Sequence, residues 1–196
     1  MIEELQFDEA LHRYSYKGLT VPGVTSVIES CLDSFSGVPA EALEYARQRG
    51  TAVHLATALY DLDDLQMDTV DIAILPYLEA WIKFRAETGF APTHIEEKVF
   101  HPRHFYAGAL DRIGLFFGEK ALMDIKSGAL MPSVYPQTAA YAEAHNYRNA
   151  DKITKRWVVQ LRDDGTYRLV ELKDKGDFSV FLSALNLHQW RTQHGC

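Results

Sequence analysis

Residues 121–128, Ala121-Leu-Met-Asp-Ile-Lys-Ser-Gly128, decide how the chain is read. Leu122, Met123 and Ile125 make a short run with something to bury, yet the run holds an acid and a base at its centre. In an extended strand side chains two apart share a face, so Asp124 and Lys126 stand side by side. Burying such a pair costs on the order of several kcal/mol per ion before their attraction is counted, so stability alone is a weak reason for it. A strand end beside a cleft is where that cost is tolerated.

Outward from this strand, the hydrophobic period after Gly89 is near two. Segments 94–102 (HIEEKVFHP), 105–117 (FYAGALDRIGLFF) and 119–127 (EKALMDIKS) read as successive strands, with turns at Pro102-Arg103-His104 and Gly118-Glu119-Lys120. A helix at 134–146 follows, then strands at 153–162 and 167–173 around the turn signal Asp163-Asp164-Gly165. An amphipathic helix from 177 to 195, started by Asp177 or Ser179, closes the pattern.

Before Gly89 the period is helical. Residues 39–60 are rich in Ala, Leu, Glu and Arg with Pro39 in the first turn, and 69–88 form a second long helix in which Pro76 either kinks the helix or marks its true start. The chain opens with a hairpin over 5–21, its second bend at Lys17-Gly18, and a short helix after Pro22 capped by Thr25 or Ser26. There is no internal repeat or low-complexity linker. The expectation is one domain over 1–196 of α/β (α+β) class, a central mixed sheet of about five strands flanked by helices, with an N-terminal β-hairpin at about 5–21.

Composition narrows the function classes. The chain has 196 residues, 47% hydrophobic and 12% aromatic, enough for a globular core. Its apolar runs are broken well before the roughly 18 residues a membrane span needs, and Met1-Ile-Glu-Glu lacks the basic start of a signal peptide, so the expectation is a cytoplasmic protein without membrane association. Two cysteines, Cys31 and Cys196, are too few for a disulfide framework or a four-thiolate cluster. A formal charge of -7 argues against a basic nucleic-acid coat but not against a local basic groove, because carboxylates of a metal site count in that total while their cations do not.

The candidate site gathers from three segments. The second strand carries Asp111 between Leu110 and Ile113, and a short turn brings it within reach of Asp124. The strand before offers Glu96 or Glu97, of which alternation lets only one face the site. Carboxylates converging there with one lysine repel one another unless a divalent cation sits among them, and oxygen ligands favour magnesium or manganese over zinc. Arg47, Gly50 and His54 lie along one face of the 39–60 helix, where His54 can add a nitrogen ligand. Gly50 costs roughly 1 kcal/mol against alanine in a helix interior, which a close approach of that face to the sheet would explain. Singly, each residue has an ordinary structural reading: an exposed ion pair, a helix histidine, a turn aspartate. His94, His101 and His104 read as part of a solvated turn and are assigned no metal.

Together the pieces resemble the PD-(D/E)XK nucleases, in particular the RecB-type and phage-encoded exonuclease branch. The resemblance rests on RGTAVH at 49–54, the glutamate of IEEKVF at 95–100, GALD at 108–111, DIKSG at 124–128 and Gln137-x-x-x-Tyr141. The opening FDEALHRYSYKGLTVPGVTSVI is similar to the start of phage members. These motifs arrive in the family's order from Phe7 to Tyr141. The resemblance implies a restriction-endonuclease-like fold and a Mg²⁺- or Mn²⁺-dependent deoxyribonuclease, an exonuclease or end-processing enzyme of recombination, repair or phage replication, in a bacterial or phage-infected cell.

It implies further that Asp111, Asp124 and Lys126 are catalytic, that Glu96 and His54 complete the metal shell, and that Gln137, Tyr141, Arg47, Gly50 and Ser127 support the site or DNA. Glu96 is preferred to Glu97 because the family's glutamate often stands three residues before an inward β-branched residue like Val99. Where many restriction enzymes carry a glutamate, this chain has Asp124, as in the RecB-type branch. The cysteines that hold an iron–sulfur cluster in some relatives are missing, so no such cluster is expected. Expected partners are DNA, with a homo-oligomer or a recombination protein as further candidates. The rival readings are a nuclease-fold DNA-binding module without turnover, and a metal-dependent hydrolase of small phosphorylated substrates.

Overall fold

The computed structural model describes residues 4–8, 11, 13–32 and 37–195. Strands β1 (Leu5–Asp8), β2 (Arg13–Tyr16) and β3 (Leu19–Val21) form an antiparallel sheet in that order. The expected hairpin is thus a three-strand meander, with Lys17-Gly18 at the β2–β3 bend, both at positive φ. Tyr14 and Val21 pack there against Phe100 and Ala107, which fixes the small sheet onto the end of the larger one.

Among the described residues the larger sheet has five strands: β4 (Ala91–His101), β5 (Tyr106–Phe116), β6 (Glu119–Lys126), β7 (Lys155–Leu161) and β8 (Tyr167–Glu171), in sequential order. All neighbours are antiparallel except β6 and β7. A parallel pair cannot be joined by a hairpin, and α4 (Val134–Arg148) supplies the crossover. The mixed sheet expected from the sequence is therefore present.

Helices cover both faces. Leu110, Ile113 and Leu122 share one core with Val24, Val27 and Ile28 of α1 (Val24–Cys31), with α4, and with Phe181 and Leu185 of α5 (Asp177–His194). Ala121, Met123 and Ile125 share another with Val53 of α2 (Ala40–Asp61) and with Trp81 and Phe84 of α3 (Leu75–Thr88). Alternation along β6 thus leaves Asp124 and Lys126 on the face of Leu122.

Several boundaries differ from the sequence reading. Pro76 marks the start of α3, preceded by a separate 3₁₀ turn at Met67–Thr69, because proline's fixed φ and missing N–H suit the first helical turn. Neither Thr25 nor Ser26 caps α1, which starts on Gly23, and Thr25 Oγ1 instead lies 3.5 Å from the Tyr141 hydroxyl. Likewise α5 starts on Gly176, while Asp177 turns away to accept a hydrogen bond from Arg156 Nη2 at 2.7 Å. The β5–β6 turn is Phe117-Gly118, both at positive φ, and Glu119 already belongs to β6. A two-residue hairpin loop with that backbone matches the twist of its strands.

Candidate active site

The β5–β6 ladder stops short of the aspartates. Its last pair at this end is Arg112 with Met123, although β6 continues to pair with β7 through Asp124, Ile125 and Lys126. At the fork the Asp111 carboxylate takes over from the missing strand: its Oδ2 accepts a hydrogen bond from Ile125 N at 2.6 Å. Alternation also slips here, because Leu110 and Ile113 are three apart yet lie in one core. On the other side of β5, Ile95 pairs with Arg112 and Glu97 with Leu110, so Glu96 stands level with Asp111 without a ladder pair. Glu96 has φ 51, a left-handed conformation uncommon for a non-glycine residue. Such local strain is a feature of functional sites.

Helix α2 meets this level. His54 Nδ1 lies 3.3 Å from Asp111 Oδ1 and 3.9 Å from Glu96 Oε1. One ligand atom each of His54, Glu96 and Asp111 can be chosen so that all lie within 4.8 Å of one another. Asp124 adjoins this triad, close enough for Asp111 and His54 to affect its charge, and Lys126 Nζ lies 2.7 Å from its buried Oδ2 in a close ion pair. Asp111 and Asp124 are both buried, and each acidic charge raises the cost of the other.

The titration pattern follows. Burial, aided by Asp111, pushes the Asp124 carboxyl up to about 6 against the pull of Lys126. Burial opposes charge on His54, but Asp111 and Glu96 outweigh it and push the imidazole up to about 10. Burial likewise opposes ionisation of Asp111 and charge on Lys126, and in each case the opposite charges beside it win: Asp111 is lowered, Lys126 raised. The cluster answers its negative charge by holding protons on His54 and Lys126. Three carboxylates and an imidazole fit a hard divalent cation that would take that role.

The remaining expected residues divide. Gln137 Nε2 donates to the Tyr141 hydroxyl at 3.2 Å, and Tyr141 lies near enough to Lys126 for each to affect the other's charge. The Tyr141 ring packs under Gly108, where an added Cβ would come 2.5 Å from Cε1. Arg47 does not join the cluster; it is exposed, and its Nη2 lies 4.0 Å from Glu29 Oε1. Gly50 does not serve a tight helix–sheet contact either, because a Cβ there would meet only Ser127 Oγ at 4.0 Å.

Sequence reasoning did not single out the groups that hold the site together. Arg112, with no exposed side-chain surface, binds Asp61 Oδ2 through Nε at 2.6 Å, Glu96 Oε1 through Nη1 at 2.8 Å and Thr57 Oγ1 through Nη2 at 3.1 Å. Glu96 is thereby held from below. The spacing of His54, Thr57 and Asp61 along α2, three and four residues apart, was the available signal. Arg49 was also passed over. It stacks on Tyr45 and Tyr77, its Nε is buried without a partner, and its Nη2 lies 3.7 Å from where a Cβ of Gly128 would be.

No protein-family model and no curated protein sequence matches the chain. The fold does match solved structures. One is a Eubacterium rectale protein named "Putative exonuclease", at 9% identity, 89% coverage of this chain and 82% of that one, with a TM-score of 0.58. Another is the alkaline exonuclease LHK-Exo from Laribacter hongkongensis, at 15% identity, 88% and 91% coverage and a TM-score of 0.42. A complex of LHK-Exo with dAMP gives 16% identity, 89% and 93% coverage and a TM-score of 0.38. At these identities the first likeness defines the class of fold, a mixed five-stranded sheet flanked by helices and shared with that protein. Among the described residues no helix is long and apolar enough to cross a membrane.

Proposed function

We propose that this chain is a metal-dependent deoxyribonuclease of the PD-(D/E)XK superfamily, of RecB-type or phage-exonuclease character, acting on DNA ends in recombination, repair or phage replication. The observation that carries the reading is the convergence of His54, Glu96 and Asp111 beside the buried Asp124 and its ion-pair partner Lys126, at a fork in the central sheet. The likeness of the fold to that of the Eubacterium rectale protein supports it. In this reading the whole chain works as a single nuclease domain, the N-terminal strands bracing one end of the sheet.

His54, Glu96, Asp111 and Asp124 would hold one or two Mg²⁺ or Mn²⁺ ions. When bound, the ions supply a bound water of lowered pKa and neutralise charge on the scissile phosphate. The chain's own groups do the rest. Lys126, kept protonated by Asp124 and Asp111, orients the attacking water and stabilises negative charge as the phosphodiester P–O bond breaks. Arg112 fixes Glu96, and Asp111 holds the tip of β6 through Ile125. The open surface over Gly50 and Ser127 leaves room for a sugar–phosphate backbone to lie against α2, with Arg49 as its phosphate contact.

The test is digestion of end-labelled linear single- and double-stranded DNA with Mg²⁺, with Mn²⁺ and with EDTA. Release of acid-soluble nucleotides that requires the cation is the expected result. DNA binding without release in any of these conditions would sink the enzyme and leave a binding module.

A further inference from the structure

Arg49 has more around it than a phosphate contact alone requires. Its Cζ lies 5.8 Å from the centroid of the Tyr45 ring and 5.5 Å from that of Tyr77, and its Nη2 comes 3.7 Å from where a Cβ of Gly128 would stand, two residues beyond Lys126. A guanidinium offers five N–H donors and no acceptor. Among the described residues no hydrogen bond or ion pair reaches any of the five, and Nε is buried. The two rings hold the fork in place but supply no lone pair to its donors. A planar cation fixed in this way and left without an acceptor is suited to receive an anion, and a phosphate matches its geometry.

Tyr45 indicates what accompanies that phosphate. Four residues before Arg49, it stands on the same side of α2 and is 59% exposed, whereas Tyr77, from α3, is buried. Tyr77 thus backs the guanidinium from the core and Tyr45 flanks it from solvent. An exposed aromatic ring next to a phosphate contact is the arrangement on which a nucleic-acid base stacks. Inside a duplex the faces of each base are covered by its neighbours, so such a ring selects a strand whose bases are unpaired. Arg49 precedes His54 by five residues, about 7.5 Å along the helix axis, so the phosphate it takes is a neighbour of the scissile one. The surface between them is open, since a Cβ on Gly50 would meet only Ser127 Oγ at 4.0 Å.

We propose that Tyr45 and Arg49 form a stacking subsite for an unpaired nucleotide, Arg49 taking its phosphate and Tyr45 its base, so that DNA reaches the carboxylate cluster as a single strand. The place of this subsite beside a scissile phosphate rests on the nuclease reading. Its affinity for an unpaired nucleotide does not, because neither side chain belongs to the cluster that would hold the cation.

The test is equilibrium binding of the full chain, by fluorescence anisotropy in Ca²⁺, to a labelled oligothymidylate, to the same strand with one abasic position moved along it, and to a blunt duplex of equal length. Tyr45→Ala should weaken single-strand binding by about 10-fold or more, and Tyr45→Phe, which keeps the ring, should not. An abasic position facing Tyr45 should cost the unaltered chain a similar factor and cost Tyr45→Ala nothing further. Arg49→Gln should lower the salt slope of single-strand binding by about 0.7, the value of one phosphate. Tyr45 is exposed and alanine is a strong helix former, so the variant keeps the fold. Single-strand binding indifferent to Tyr45→Ala, or a loss of equal size on the blunt duplex, overturns the subsite even where Mg²⁺-dependent cleavage upholds the nuclease. The Tyr45 dependence without any release of nucleotides would uphold the subsite and remove the nuclease.

Discussion

Replacing Asp61 with asparagine tests the buried network beneath the candidate site. Asp61 Oδ1 accepts from Arg85 Nη1 at 2.6 Å and Trp81 Nε1 at 3.0 Å, while Oδ2 accepts from Arg112 Nε at 2.6 Å. Neither Asp61 nor Arg112 exposes any side-chain surface. Removing one member of a buried pair costs about 3–5 kcal/mol, because the other charge is left in a poor solvent. Arg112 retains Glu96, Thr57 Oγ1 and Asp111 O as acceptors, which places the expected loss near the bottom of that range, about 3 kcal/mol. For a chain of this length the midpoint of thermal unfolding should fall by roughly 6–12 °C. Urea unfolding at neutral pH measures the loss directly, and Asp61→Asn/Arg112→Met should recover part of it, since the orphaned charge is gone. A loss below about 1 kcal/mol with an unchanged urea slope would refute the reasoning.

Three further outcomes are expected. Lys126→Met should lower DNA cleavage by about 100-fold or more while circular dichroism stays unchanged, and near-normal turnover at matched metal would remove Lys126 from the chemistry. Gly50→Ala should be neutral or stabilising by up to about 1 kcal/mol, whereas Gly108→Ala should destabilise by about 1–3 kcal/mol because its methyl meets the Tyr141 ring; equal urea midpoints for the two would contradict the packing described. His101 is held neutral by burial and by the neighbouring His104, which lower its pKa from the ordinary 6.5 to about 4. The unfolded chain therefore binds the extra proton first, so the contribution of His101 is complete above pH 6.5 and is lost as pH falls toward 4. His101→Asn should flatten that acid limb of the urea midpoint, and an unchanged limb would show that His101 titrates normally.

The sheet was readable because its signals are local. Alternation over β4 to β6, the turn at Asp163-Asp164-Gly165 and the crossover helix leave few ways to order five strands. The placement of Asp124 beside Lys126 follows from strand period alone. The unread parts depend on long-range partners: whether Asp177 caps a helix or binds Arg156 is decided by a strand twenty-one residues earlier. Arg112 sits next to Asp111 in sequence, yet its role is fixed by α2, fifty-one residues away. The distance of Arg47 from the carboxylate cluster was not legible either, because helical periodicity places a residue on a face without saying how far along the helix the sheet extends. Two adjacent glutamates with separate histidine partners, Glu96 and Glu97, could not be told apart by alternation, which says only that they diverge.

The hydrogen bond from Ile125 to Asp111 has a practical consequence. A main-chain proton is tied to a candidate ligand oxygen, so that amide serves as a spectroscopic reporter: its nitrogen and proton chemical shifts should move when Mg²⁺ draws electron density from Asp111. Occupancy of the cluster could then be followed by nuclear magnetic resonance at a single labelled isoleucine, with no substrate present.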